Sequence, residues 1–423
     1  MLLRQLAIDT AHEGHYTDAL EHARAYEAWA QRQPAGPARE QALEKANLLV
    51  GNLLARMGYY EDAGQRLRRA IQADDPADAL DAVLAYTELI HTAEAANPIR
   101  TVLVRIEQQI EMDSSPEGDR MRAMCRYVRG RLIYYDQSPE AAAPLIESAM
   151  NSPEVFAEDR VPMHIQYSRC MRFAHGPFEA EHEARQALSL AEDINSVRLA
   201  ARARSRIAAF LLDAGKHEEA KRELLQTVRD LDGTGLHGDL ADVCNALGEL
   251  DRFLGNTKVA QAWYERSVAI WDKLGSLTSG GFPRFNLLYL ILDSGRSEGA
   301  REHLAILDRW AMTQRAGVRR ALELQRIRLT FIEGRHQEVL DRLTLFFEQS
   351  TELSEVDDAM TLEWLVSRYM GMPPQNLSPL SILRSADCLT AAQRFWESLD
   401  RSKDVQRVRF MREQLKDLVQ AQQ

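Results

Sequence analysis

The stretch that decides the fold is LDAGKHEEAKREL, Leu212–Leu224, because its pattern recurs along the chain. Gly215 is followed by polar residues and, five places on, by Ala220, after which apolar residues return at helical spacing. The same pattern occurs in RMGYYEDAGQRL from Arg56, FLGNTKVAQAWY from Phe253 and DSGRSEGAREHL from Asp293. Self-similarity at a fixed period is typical of repeat architectures, so the chain is predicted to be a repeat array.

The period follows from the turn residues. Gly215, Gly255 and Gly295 follow one another at equal intervals, and Gly334 comes one place short of the next interval. Each turn residue precedes a small or apolar residue by five places, in the pairs Gly14/Ala19, Gly58/Ala63, His175/Ala180, Gly215/Ala220, Gly255/Ala260, Gly295/Ala300 and Gly334/Val339. The distance along the chain from Gly58 to His175 equals three times the interval from Gly295 to Gly334. Two weaker units are therefore predicted between them, near Asn97 and Gln137.

Each unit is predicted to be two helices joined by the glycine turn. Apolar residues recur every three or four places on both sides of the turn, and the β-branched alternation typical of strands is absent. The glycine ends the first helix because a left-handed backbone costs it no Cβ clash. The small residue is expected where the two helices cross closely, so that a leucine there would overpack at a cost of about 1–3 kcal/mol.

These units resemble tetratricopeptide repeats, whose pattern has a small residue at position 8, a large residue at position 24 and alanines at positions 20 and 27. The matching residues are Gly51, Ala63, Leu67 and Ala70 in Glu44–Pro76, and Leu247, Gly248, Ala260 and Tyr264 in Ala241–Asp272. The unit length is similar to the long variety found in bacterial signalling proteins, including maltose-activator-like regulators. The resemblance implies an all-α, right-handed superhelical α-solenoid of helix–turn–helix repeats. We expect about nine helix pairs over 1–350 and divergent C-terminal helices capping the solenoid over 351–423.

Composition narrows the class of protein. The net charge is 52 − 63 = −11, which disfavours general nucleic-acid binding. The four cysteines are scattered, so buried free thiols in a reducing compartment are expected; they are Cys125, Cys170, Cys244 and Cys388. No run of 18 apolar residues occurs, so we predict no membrane span and a cytoplasmic location. A helical pattern starts at Leu2 without a capping residue, so the possibility that the chain is the C-terminal part of a larger protein stays open.

The sequence offers little for catalysis. The Gly-Lys pair at Gly215 lacks the preceding glycine and the hydroxyl of a phosphate-binding loop, and neither G-x-S-x-G nor H-E-x-x-H occurs. HEGH, His12–His15, places its histidines around the turn glycine Gly14, so solvated turn residues explain them better than a metal site does. We therefore predict a non-enzyme with no cofactor and no metal.

Arginines and aromatic residues are concentrated on the first helices of the units. In the tetratricopeptide family these helices line the concave surface, and transferring the family's groove positions to this sequence gives a candidate partner-binding set. Its members are Tyr127, Arg131, Tyr134, Arg169, Arg172, Arg202, Asn245, Arg252, Phe285, Tyr289 and Arg328. Two interpretations stay open: the arginines pair with acids of adjacent helices, or they form a basic groove for an acidic or phosphorylated peptide or a C-terminal carboxylate. Only Asn52 matches the family's carboxylate clamp, so a chaperone-tail clamp is not favoured.

The stretch LGSLTSGGFPRF, Leu274–Phe285, is predicted to be a flexible turn that ends with Pro283 in the first turn of the next helix. A ligand-responsive hinge is the alternative for this segment.

The predicted function is a non-catalytic protein- or peptide-binding scaffold that uses its concave face. The alternative is a ligand- or partner-sensing regulatory module of a larger signalling protein of the ATPase, kinase or transcription-regulator type. A small-molecule effector belongs to that alternative.

Overall fold

The computed structural model describes residues 2–89, 97–312, 314, 316–350, 352–353, 356–373 and 376–420. Within these ranges the chain forms 21 α-helices and no strand, which confirms the predicted all-α class. The helices divide into two compact units, Met1–Ser276 and Leu277–Gln423. The predicted boundary between a repeat array and a cap at 350/351 is a separate expectation and stays a prediction.

The first unit consists of seven consecutive helix pairs among the described residues. They are α1 (Leu2–His12), α2 (Tyr16–Gln31), α3 (Pro37–Met57), α4 (Tyr60–Ala70), α5 (Pro76–Thr87), α6 (Asn97–Gln109), α7 (Pro116–Asp136), α8 (Pro139–Met150), α9 (Ala157–Ala174), α10 (Pro177–Asp193), α11 (Val197–Asp213), α12 (His217–Leu231), α13 (His237–Phe253) and α14 (Thr257–Leu274). The weaker units predicted near Asn97 and Gln137 are present, because α6 begins at Asn97 and Gln137 caps the end of α7.

The second unit continues with two more helix pairs and three further helices. They are α15 (Leu277–Asp293), α16 (Ala300–Ala311), α17 (Ala316–Ile332), α18 (His336–Gln349), α19 (Val356–Met370), α20 (Pro379–Ser398) and α21 (Ser402–Gln420). Its core includes the fully buried indole of Trp396, which donates a hydrogen bond to Glu363 at 2.6 Å.

The turn glycines have the predicted conformation. Gly58 ends α3 with φ 95° and ψ 7°, a left-handed geometry that a side chain would strain. Positive φ angles also occur at Gly14, Gly215, Gly255, Gly295 and Gly334. His175 lies in the turn that ends α9, as predicted, but it has φ −132°, and the adjacent Gly176 takes the positive φ. Because the next residue is a glycine, the left-handed backbone of the turn falls on a residue without a Cβ, and His175 avoids the strain of that conformation.

The small residues lie where the helices of a pair cross. The residue five places after each assigned turn residue is fully buried: Ala19, Ala63, Ala180, Ala220, Ala260, Ala300 and Val339. The helices of a pair also approach closely at a second place, where a glycine of the first helix contacts a large side chain of the second. In each pair the large residue follows its glycine at the same distance along the sequence. The pairs are Gly51/Leu67, Gly130/Ile146 and Gly248/Tyr264, and a Cβ on each glycine would lie 2.9, 2.6 and 2.5 Å from its partner. Helix-to-helix distance therefore fixes glycine at these positions, as the resemblance implied.

The prediction of a flexible turn over Leu274–Phe285 is wrong. Only Gly275 and Ser276 form the turn, and α15 begins at Leu277 with Pro283 in its interior. The glycines of this segment serve packing, because a Cβ on Gly281 would overlap the ring of Trp310. The indole N–H of Trp310 donates to the main-chain oxygen of Thr278 at 3.1 Å, which holds the ring against the backbone of α15.

In the first unit, the first helices of successive helix pairs form a closed ring. Helices α3, α5, α7, α9, α11 and α13 contact one another in sequence, and α13 returns to contact α3; we call these six helices the inner ring. At the closure a Cβ on Gly58 would lie 2.7 Å from the Cα of Gly238, so the two backbones touch. The rings of Tyr60 and Trp271 lie 5.6 Å apart at the same junction.

All four cysteines are free and buried, as predicted. Burial raises the pKa of Cys170 and of Cys244 to about 11, so these thiols stay protonated at neutral pH. They therefore act as small apolar packing groups.

Candidate partner-binding surface

The inner ring encloses a polar concave surface with a cavity of about 680 Å³. Side chains of α7 reach it from one helix face, since Met124, Tyr127 and Arg131 are spaced three and four residues apart. Glu88, which caps the end of α5, and Arg198 of α11 line the same cavity. The helical period of the sequence thus directs charged and aromatic side chains to the interior of the ring.

An ion network crosses this interior. The carboxylate of Glu88 accepts a hydrogen bond from Arg198 at 2.6 Å and another from Arg202 at 2.8 Å. Arg198 also lies 3.4 Å from Asp239 on α13. Burial alone would raise the pKa of Glu88, but the charges of Arg202, Arg198 and Arg131 hold it well below its usual value. Glu88 is therefore a carboxylate bound across the ring by two arginines.

Three of the predicted arginines have internal partners. Arg202 shares Glu88, and Arg172 forms an ion pair with Asp213 at 2.7 Å. Arg131 donates to the hydroxyl and to the main-chain oxygen of Thr87 at 2.9 and 3.0 Å. The interpretation that the arginines pair with acids of other helices therefore describes Arg202 and Arg172, whereas the partner of Arg131 is a threonine.

Arg169 has no carboxylate partner in the described part of the chain and lies among tyrosines. Its guanidinium stacks over the ring of Tyr134 at 4.6 Å and donates to the hydroxyl of Tyr135 at 3.4 Å. It also donates to the amide oxygen of the buried Gln166 at 3.1 Å. These contacts orient the guanidinium without neutralising its charge.

Arg206 is the second cation at this place. It makes no hydrogen bond and no ion pair to any residue that the structure describes. Burial and then the neighbouring positive charge of Arg169 lower its pKa to about 10, and Arg202 acts in the same direction. Arg206 therefore stays charged at neutral pH, with no ion pair to a described residue. We call Tyr134, Tyr135, Arg169 and Arg206 the arginine–tyrosine cluster.

The remaining predicted residues lie in varied surroundings. Tyr127 is buried, and its hydroxyl donates to the main-chain oxygen of Pro162 at 3.2 Å. Asn245 donates to Glu249 on the same helix at 2.9 Å, and Arg252 is half-buried near the end of α13. None of these contacts tests a role in partner binding, which stays a prediction for all three.

Phe285, Tyr289 and Arg328 lie in the second unit. Arg328 is fully buried, with its guanidinium 4.7 Å from the ring centres of both Tyr289 and Trp364. It donates to Asp293 at 3.1 Å, while Phe285 is half-buried on α15. These residues belong to the packing of the second unit, and their predicted part in a groove is untested.

Sequence reasoning missed Glu88, Arg206 and Tyr135. Arg206 follows Arg198 and Arg202 at four-residue steps, so the helical period could have found it. Glu88 carried no such signal, because its partners lie 110 and 114 residues away along the chain. In the described ranges no group of three or more His, Cys, Asp or Glu side chains could hold a metal ion.

Comparisons with known proteins add similarities of overall architecture. No protein-family model matches the sequence, and no curated protein does. The chain is similar to the crystal structure of a Rap protein complexed with competence and sporulation factor, at 15% identity over 89% of this chain and 99% of that one, with a TM-score of 0.48. It is also similar to the apo quorum sensor NprR from B. thuringiensis, at 13% identity over 90% and 100% of the two chains, with a TM-score of 0.46.

A putative kinesin light chain from Podosopora anserina with tetratricopeptide-like repeats is similar over a shorter part. The identity is 19%, the coverage is 45% of this chain and 93% of that one, and the TM-score is 0.39. All three TM-scores are below 0.5. The class is defined by the helix pairs, turn glycines and small-residue crossings: an all-α, tetratricopeptide-like helical-repeat protein. None of the helices in the described ranges combines the length and apolar character that crossing a membrane requires.

Proposed function

We propose that the protein is a non-catalytic, cytoplasmic scaffold that binds an acidic peptide segment of a protein partner on the inner ring. The observation that supports this function is the arginine–tyrosine cluster, in which Arg169 and Arg206 have no carboxylate partner among the described residues. Arginine presents a planar fork of donors to a carboxylate, and tyrosines add rigid contact area. The four free buried thiols are in keeping with a reducing compartment.

The surrounding charges favour an acidic segment over a basic one at this place. Arg202, one helical turn before Arg206 on α11, forms an ion pair with Glu88, and this contact supports the proposal that a neighbouring arginine would accept a carboxylate in the same way. An approaching acidic side chain would find two further guanidiniums, those of Arg169 and Arg206, that form no ion pair with any residue in the described ranges. Binding there should weaken with salt, because the attraction is between opposite charges.

The test compares two labelled peptide pools by fluorescence polarisation, one with adjacent glutamates at fixed positions and one with glutamines in their place. We expect the wild-type protein to bind the glutamate pool more tightly, and R169Q and R206Q each to weaken that binding by at least about tenfold. R222Q is the matched control, because Arg222 is exposed on the second helix α12. Equal binding of both pools, or an equal effect of R222Q, would contradict the proposal.

A second function, a ligand-sensing regulatory module, is favoured by the cavity of about 680 Å³ in the inner ring. Its lining includes the ion pair of Arg120 with Asp159 at 2.9 Å and the ring of Phe156, which are contacts for a small polar effector. Such an effector would raise the unfolding temperature by binding the folded state. A panel of charged metabolites that leaves the unfolding temperature unchanged would count against this function.

A further inference from the structure

We propose that the arginine–tyrosine cluster is a phosphate site, which takes the phosphorylated side chain of a partner peptide in preference to a single carboxylate. The inference rests on the proposed function and deepens it, because it assigns a ligand class to the same surface.

The first argument is charge balance inside the ring. Arg198 and Arg202 are two cations, and they are matched by two anions, Glu88 at 2.6 and 2.8 Å and Asp239 at 3.4 Å. Asp242, close enough for its charge to act with those of Asp239 and Arg202, adds a further acidic group on the α13 side. The interior of the protein thus gives each inner arginine of this network about one carboxylate.

Arg169 and Arg206 have none in the described part of the chain. Arg206 follows Arg202 by about one turn of α11 and forms no ion pair with a described carboxylate. At neutral pH the nearby tyrosines are uncharged, so the charges that act most strongly on Arg206 are the positive ones of Arg169 and Arg202. The cluster therefore carries two positive charges that the described side chains leave without a counter-charge. A phosphorylated side chain carries about −1.5 to −2 charges at neutral pH, whereas a carboxylate carries one, so the phosphate restores the balance seen at the neighbouring network.

The second argument concerns donors. Arg169 is held in place by the Tyr134 ring at 4.6 Å and by the oxygen of Gln166 at 3.1 Å. Arg206 has all of its N–H groups free of hydrogen bonds to the described residues, and Tyr135 adds an exposed phenol beside both arginines. Three phosphate oxygens can accept from two guanidinium forks and a phenol together, while the two oxygens of a carboxylate are filled by one fork.

The test starts with the full chain and inorganic phosphate, titrated in a calorimeter against acetate at the same ionic strength. We expect phosphate to bind and acetate to bind at least about tenfold more weakly. R206Q should lower phosphate affinity by at least about tenfold, and R206K should restore part of it. R206Q breaks no hydrogen bond to the described residues, so it should fold as the wild type does, and R222Q should bind phosphate as the wild type does.

The second step separates the sources of the phosphate. A phosphoserine peptide is compared with its glutamate counterpart and with a single-stranded RNA oligonucleotide in the same assay. The proposal expects the phosphoserine peptide to bind most tightly and to depend on Arg206. Equal affinity for the glutamate peptide would overturn the phosphate assignment and leave the proposed function standing. Tighter binding of the RNA would overturn both, and so would absence of binding by all three probes.

Discussion

The substitution Gly248→Ala tests whether close helix packing, rather than turn geometry alone, holds the repeats together. Gly248 lies within α13, and a Cβ added to it would be 2.5 Å from two ring carbons of Tyr264. Tyr264 is fully buried, so its ring has no room to withdraw. Alanine is favoured over glycine in a helix by about 1 kcal/mol, and overpacking costs about 1–3 kcal/mol. We therefore expect a net loss of up to about 2 kcal/mol in the free energy of unfolding.

Gly64→Ala is the matched control. Gly64 also lies in a helix, α4, but a Cβ there would meet only a methyl group of Leu89 at 3.8 Å, an ordinary contact. In this variant only the higher helix propensity of alanine over glycine acts, and it should stabilise the protein by about 0.5–1 kcal/mol. Both variants gain the same helix propensity. The difference between their free energies of unfolding, about 1–3 kcal/mol, therefore measures the cost of overpacking at Gly248.

Urea unfolding of both variants, followed by tryptophan fluorescence, gives this difference from the midpoints if the slopes agree. The reasoning is refuted if Gly248→Ala is as stable as Gly64→Ala. Equal stability would mean that the two helices separate at no cost, contrary to a packing role for the recurring glycine.

Two further perturbations address charged and stacked side chains. Glu88→Gln leaves Arg202 without its carboxylate and Arg198 with Asp239 alone, and should cost about 1–3 kcal/mol in urea unfolding at neutral pH, whereas Glu107→Gln, in an exposed pair with Arg129, should cost about 0–1 kcal/mol. Since the pKa of Glu88 is depressed in the folded state, its contribution is present above the unfolded pKa of about 4.3 and lost as the pH falls further; a variant with unchanged acid sensitivity would count against this. Arg328→Lys removes a planar group from between two rings and should cost about 1–3 kcal/mol, measured by near-ultraviolet circular dichroism during unfolding; wild-type stability would show that the stacking contributes little.

Local sequence was sufficient where a residue's role depends on near neighbours. Gly215 and Ala220 lie five places apart, and the turn conformation of one and the burial of the other follow from the helix–turn–helix geometry of a single unit. Where a local signal is ambiguous, the sequence alone misleads: the glycines before Pro283 favour a flexible turn, whereas Gly281 lies within α15 and its lack of a Cβ leaves room for the ring of Trp310. Trp310 lies on the following helix, α16, beyond the reach of any local pattern around Gly281.

The sequence by itself determined the helical repeats, because period, turn glycines and crossing residues are properties of one unit and its neighbour. It also placed arginines and tyrosines on the first helices. Only the tertiary structure decided which of those arginines are neutralised, since closure of the inner ring brings Glu88 to Arg198 and Arg202 and leaves Arg169 and Arg206 without a carboxylate among the described residues. The physical reason is that charge pairing depends on distances of a few ångströms between side chains that lie more than a hundred residues apart in the chain.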